Sequence, residues 1–452
     1  MGNNIANNLK PPPLNSLLHL DEKSLPKVMD EMHPDLSVFN KSKHISALVA
    51  NAFPHPPKNG SQLLLGTIEN TIFLLDGYGI KVSYNVINKN HSIIIPYAEG
   101  TNASTGLAYI YSLANLNGLP TAQIANFIEV IGDMNQINPV QSWILSKSWD
   151  GRDRLELFYA TLTHHPDFPK HLKTTLMYRW ALSAVAAALK PNGFKARGVL
   201  TLQGSQSMGK TSWISALIPN DLLREAFIKL DHHLDASNKD SIITAVSHWI
   251  VEIGELDSSF KKDIARLKGF LTADYDKLRR PYGKADSEYP RRTVFCATVN
   301  EHEFLIDSTG NSRFWTIPVT EINYNHGIDM QQLFAQLAID FSNNQQWWLT
   351  KDEEALLELH NKDHRVTSVI RERVLDVLDL ARINENGLEA MSPSQLLQRL
   401  QFKFPTNQQM RECGGVLREF LGSPKKIQGY MKWRVPFKNS PQITSISDSD
   451  LY

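Results

Sequence analysis

Cysteine is nearly absent. Cys296 and Cys413 are the only two in 452 residues, which excludes a disulfide scaffold and a cysteine-built zinc ribbon. Net charge is also missing, with Lys+Arg and Asp+Glu both at 47. No global field therefore draws the chain to nucleic acid or to an anionic membrane, so any nucleic-acid contact has to be a local patch. No apolar run approaches the roughly 18 residues of a membrane span. The opening MGNNIANNLKPPPLN has no charged leader followed by an apolar stretch, and Ala6 stands where a myristoylation signal needs Ser or Thr. These absences predict a cytoplasmic protein with no membrane partner. The length predicts about two to four folding units.

Punctuation and periodicity divide the chain. Residues 1–58 carry Asn and Pro (Pro11, Pro12, Pro13, Pro54, Pro56, Pro57) and are expected to be a mobile or loosely packed segment. Residues 59–140 alternate helical and strand patterns and predict a small α/β domain without visible chemistry. A long helical stretch from Lys173 to Leu189 follows. Short apolar strands then alternate with helices at 198–203, 248–253, 293–298 and 314–319, the pattern of a parallel sheet covered by helices on both faces. This domain is expected to span 141–345. A helical connector (346–385), a basic unit (386–438) and an acidic, Ser-rich disordered tail (439–452) complete the division.

The strongest signal is Gly204-Ser205-Gln206-Ser207-Met208-Gly209-Lys210-Thr211, with Ser212 opening the helix behind it. This matches G-x-x-x-x-G-K-[ST]. The glycines let backbone N–H groups converge on phosphate oxygens, Lys210 reaches the β- and γ-phosphates, and the Thr211 hydroxyl ligates Mg²⁺. A strand-like Val199–Leu202 before the loop and a helical 212–217 after it are the context such a loop requires. The motif predicts a site for Mg²⁺ with ATP.

Hydrolysis needs an acid at the end of another strand. His248–Leu256 supplies Glu252 and Glu255, which point to opposite faces unless the strand ends near Ile253. Glu255, at the tip, is the first choice for the metal-and-water carboxylate. Glu252 comes second, and the neighbouring Asp257 leaves the choice open. The loop 276–292 holds six basic and three acidic residues with Tyr282 and Tyr289 interleaved, and reads either as a nucleic-acid grip or as a solvated loop. Asn300 ends an apolar strand, as a residue orienting lytic water or as a turn. Arg313 precedes the next strand, as an arginine finger or a structural ion pair. His164-His165 and Asp231-His232-His233 lack a partner at metal-ligand spacing.

Together these segments resemble the virulence-associated protein E family of phage, prophage and satellite elements, close to the superfamily 3 helicases within the AAA+ ATPases. The resemblance rests on Trp149–Arg152, Gly204–Thr211, Trp249–Leu256, Leu267–Phe270, Arg279–Gly283, Thr298–Asn300 and Asp307–Trp315, in one order. It implies a sensor role for Asn300 and a finger acting in trans for Arg313. It also implies a DNA-touching pore hairpin that includes Arg279 and Arg280, with Lys284 as its foremost contact. One departure is Ser312, which stands where the family has a first arginine.

The C-terminal unit adds a patch. Between 389 and 438 there are nine Lys or Arg against three Glu. A capped helix from Ser392, a second from about Asn407 and a basic two-stranded segment with Lys425 and Lys426 read as a DNA-binding winged helix. The expected whole is an α/β chain: a P-loop AAA+ ATPase core, a small N-terminal α/β unit and a C-terminal winged helix. Its expected activity is that of a DNA helicase or translocase working as a homo-oligomer, a hexamer, on single-stranded or forked DNA beside other replication proteins. A replication initiator without strand unwinding is the alternative, and a P-loop small-molecule kinase is a third class.

Overall fold

The computed structural model describes residues 45–58, 63–96, 103–256, 264–278, 287–305, 311–365 and 369–438. The tail 439–452 and residues 1–44 of the N-terminal segment lie outside them. The chain forms two compact units. One comprises Met1–Arg152, Lys277–Tyr289 and Gln331–Ala338; the other comprises Asp153–Asp276, Pro290–Met330 and Ile339–Tyr452.

In the first unit, helices Ile68–Gly77, Ala103–Leu116 and Ile124–Met134 accompany strands β1 (Lys81–Asn85), β2 (Asn90–Ile94) and β3 (Gln136–Ile137), in the sheet order β2-β1-β3. Leu74, Ile80, Ile110 and Ile124 make its core. Residues 45–58 differ from the loosely packed expectation. Phe53 enters that core, and the buried Asn70 accepts from the His55 amide at 2.9 Å and donates to its carbonyl at 2.8 Å. A buried amide that satisfies both groups of a passing backbone holds that backbone down despite its prolines.

The second unit is a mixed α/β fold around a six-stranded, largely parallel sheet. Its strands are β4 (Leu162–His164), β5 (Val199–Gln203), β6 (Ile228–His232) and β7 (Ile250–Ile253); then, past a hairpin of β8 (Tyr275–Leu278) and β9 (Ser287–Pro290), β10 (Val294–Val299) and β11 (Phe314–Ile322). The order is β4-β11-β5-β10-β7-β6, with β4 alone antiparallel. Val251, Ile253, Phe295, Ala297 and Val299 share a core with Ala245, Leu267 and Leu271, so helices Lys239–Val246 and Ile264–Leu271 cover one face. The alternate residues Glu252 and Thr298 face the other way, toward the helix Lys210–Ala216. β4 and β6 carry no apolar run, which is why sequence pattern misses them. Helix Lys170–Leu189 is buried from Trp180 through Ala188; the Trp180 indole donates to the Phe295 carbonyl, and Trp249 donates to that of Ala184, both at 2.8 Å.

The chain closes with helix Val369–Val377, β12 (Glu389–Met391), helices Pro393–Arg399 and Asn407–Leu421, then β13 (Lys425–Ile427) and β14 (Tyr430–Val435) in an antiparallel sheet of order β12-β14-β13. Gln428 and Gly429 both have positive φ, as a two-residue hairpin turn requires. The unit begins earlier than the expected boundary at 386. Ile370 and Val374 share a core with Leu396, Leu417 and Trp433, because helix 369–377 would otherwise leave its apolar stripe uncovered. Among the described residues no helix is long and apolar enough to cross a membrane.

Candidate functional site

The cleft begins where β5 ends. Gly204 needs its missing side chain, since a Cβ there would lie 2.8 Å from the Val319 carbonyl. Ser207 and Gly209 both adopt positive φ, at 63° and 90°, turning the loop back into the helix Lys210–Ala216. A cleft of about 370 Å³ opens there, lined by Gln206–Ser212 together with Asp231, Glu255, Thr298, Asn300 and Tyr324.

Lys210 is buried. Its ammonium donates to the carbonyls of Gly204 at 2.6 Å and Ser205 at 2.8 Å, and to Asn300 Oδ1 at 2.9 Å. Burial lowers its pKa, and the Glu252 carboxylate acts against that. β10 stands between β5 and β7 and so carries Asn300, one residue past its end, to the lysine.

Glu252 is fully buried on β7. Its Oε1 accepts from the Thr211 hydroxyl at 2.6 Å and the Thr298 hydroxyl at 3.1 Å, while Oε2 accepts from the Asp231 amide at 3.0 Å. Burial raises its pKa, and these three hydrogen bonds pull it back down. β7 ends at Ile253, and Glu255 follows at φ 48°, exposed on the cleft lining. The structure thus joins Glu252, second in order from the sequence, to Thr211, and places Glu255 at the cleft mouth. Asp257 lies outside the described residues.

Three lining residues had been given no role in the site from sequence: Asp231, Thr298 and Tyr324. Asp231, next to last in the strand β6, has φ 47°, and a Cβ on Gly254 would lie 2.0 Å from its Oδ1. The glycine between the two glutamates was the available signal, because it marks a close approach.

Arg313 is half-buried in the turn Asn311–Arg313 and does not line the cleft. Phe314 pairs with Val199 at the start of β5, while the Gly204–Gly209 loop leaves the end of β5 at Gln203. At about 3.3 Å per residue, that puts Arg313 roughly 16 Å along the sheet from the loop.

Of the proposed DNA contacts, Arg279, Arg280 and Lys284 lie outside the described residues, and so does Tyr282. In the described part of that loop, Arg291 and Arg292 are turned inward. Arg291 is buried in an ion pair with Asp276, with Nε and Nη2 each 2.6 Å from Oδ1. Arg292 donates to the carbonyls of Ala188 and Lys190, both at 3.0 Å, at the end of helix Lys170–Leu189. Tyr289 is buried, and Lys277 pairs with Glu288 at 2.8 Å across the hairpin. Lys425 and Lys426 are exposed on β13, and Tyr430 and Met431 stand exposed beyond the turn.

Among the described residues no three His, Cys, Asp or Glu cluster to hold a metal ion. Residues 144–366 match the Virulence-associated protein E-like domain. Solved structures similar to the chain include the following two. The A form apo structure of NrS-1 C terminal region-CTR has 14% identity, covering 81% of this chain and 99% of that one, with a TM-score of 0.39. The apo structure of NrS-1 C terminal region (305-718) has 13% identity, covering 81% and 98%, with a TM-score of 0.38. No curated protein matches the chain.

Proposed function

The chain belongs, through residues 144–366, to the virulence-associated protein E-like family, and from that premise we propose that it is an ATP-hydrolysing DNA helicase or translocase. Its place is the replication of a phage, prophage or satellite element. The observation that carries this reading is the convergence of Lys210, Asn300, Thr211 and Glu252 at one phosphate-sized loop. Triphosphate oxygens would replace the Gly204 and Ser205 carbonyls around the Lys210 ammonium, and Asn300 would be released from the lysine toward the cleft. Glu255, exposed on the cleft lining, would orient and deprotonate water.

Mg²⁺ fits this donor set. A hydroxyl and a carboxylate 2.6 Å apart are hard oxygen ligands, and a site with few protein ligands suits an ion that arrives on phosphates. Thr211 and Glu252 would hold it, directly or through water. Bound there, it supplies charge neutralisation on the phosphate oxygens.

Arg313 stands at the sheet end remote from its own phosphate loop, which supports a finger offered to a neighbouring protomer's nucleotide in a hexameric ring. The C-terminal order of helix, strand, two helices and a basic hairpin supports a winged helix that holds DNA through Lys425 and Lys426. Arg279, Arg280 and Lys284 complete the reading as strand contacts.

Mass measurement with ATP and forked DNA, beside ATPase and strand-displacement assays, tests the proposal. Expected are ATP-favoured hexamers, and hydrolysis lost in Lys210→Ala and in Glu252→Gln. A wild-type chain that stays monomeric under all conditions removes the trans finger. Hydrolysis without strand displacement would instead identify an initiator.

A further inference from the structure

We propose that Tyr324 forms a nucleobase-stacking subsite at the β11 end of the cleft; this rests on the nucleotide reading above. β11 runs parallel to β5 as far as the Pro318–Gln203 pair, then shifts register and pairs with β4. The Asn323 amide is held by the Thr161 carbonyl at 2.8 Å. That anchor delivers Tyr324 beside the phosphate loop. Its ring lies against Gly209, so that a Cβ on the glycine would come 2.6 Å from Cδ1 and 2.9 Å from Cε1.

Tyr324 is 42% exposed and lines the cleft. A large aromatic side chain held against backbone on one side and open to a polar cleft on the other offers a π-face.

Direction follows from the sheet order β11-β5-β10-β7. The groups suited to the reacting end of a triphosphate, Asn300, Glu252 and Glu255, lie on β10 and β7 or just after them. A triphosphate with its terminal phosphate on that side must carry its nucleoside out on the other, over β11. The two sides are two strand spacings apart, about 10 Å. Aromatic stacking accepts every base, so the subsite takes a nucleoside triphosphate without requiring a particular base edge.

The test is calorimetric titration of the full chain with two Mg²⁺-loaded probes, a non-hydrolysable ATP analogue and inorganic tripolyphosphate. Tyr324→Ala is expected to weaken the analogue roughly tenfold while leaving tripolyphosphate unchanged, and Tyr324→Phe to restore the analogue. If Tyr324→Ala weakens both probes equally, the ring only props the loop and the subsite is refuted. If it weakens neither, or if Tyr324→Phe fails to restore the analogue, the subsite is likewise refuted. A wild-type chain that binds tripolyphosphate as tightly as the analogue also refutes it, with the phosphate site intact. Wild type binding neither probe overturns the nucleotide reading itself.

Discussion

Replacing Arg291 with Met removes the guanidinium that pairs with the buried Asp276 carboxylate. The two side chains are 1% and 2% exposed, and the guanidinium also sits 4.7 Å from the Phe270 ring centroid and 5.6 Å from that of Phe295. Methionine keeps much of the aliphatic packing, so the dominant loss is charge compensation, about 3–5 kcal/mol for breaking a buried pair from one side. Large domains lose on the order of 2 °C in Tm per kcal/mol, which gives about 6–10 °C here. The double change Asp276→Asn with Arg291→Met removes both charges and should recover much of that loss. Differential scanning calorimetry on the three proteins is the assay. A single variant that melts within about 2 °C of wild type, or a double no more stable than the single, would refute the reasoning. The pair also closes the base of the β8–β9 hairpin, since Asp276 lies in β8 and Arg291 directly follows β9. Single-stranded DNA should therefore stimulate ATP turnover less in the single variant than in the double.

Acid should destabilise the chain through its buried histidines. Burial lowers the pKa of His364 and likewise those of His232 and His326. A histidine lowered on folding binds its proton more readily when unfolded, so its contribution is present above about pH 6.5 and is lost as pH falls below that. Melting temperatures taken from pH 7.5 to 5.5 should fall, and less steeply in His364→Asn; parallel slopes would rule out His364 as a contributor. At the C-terminal hairpin, Lys425→Ala with Lys426→Ala should weaken duplex binding in fluorescence anisotropy. Two lost phosphate contacts reduce the salt dependence of log K by about 1.8. ATP hydrolysis without DNA should be unchanged, and an unaltered salt slope would place the duplex elsewhere.

The turn at Gly204–Thr211 was legible because its geometry is local. Gly204, Gly209, Lys210 and Thr211 are consecutive or nearly so, and turn geometry dictates their types. The apolar strands β5, β7, β10 and β11 were legible because strands buried on both faces read as continuous apolar runs. Tertiary structure decided what depends on distant segments meeting. Which glutamate reaches Thr211 turned on where β7 ends, a matter of one or two residues that periodicity cannot resolve. Asp231 and Tyr324 reach the cleft from β6 and the end of β11, segments without a motif of their own. Arg291 and Arg292 look like any basic pair in sequence, yet an acid 15 residues away and the end of a helix 104 residues away draw them inside. Side-chain type and near-neighbour spacing set what chemistry the chain can perform. Which of those groups share a cleft, and which are spent holding the fold together, follows from contacts between segments far apart along the chain.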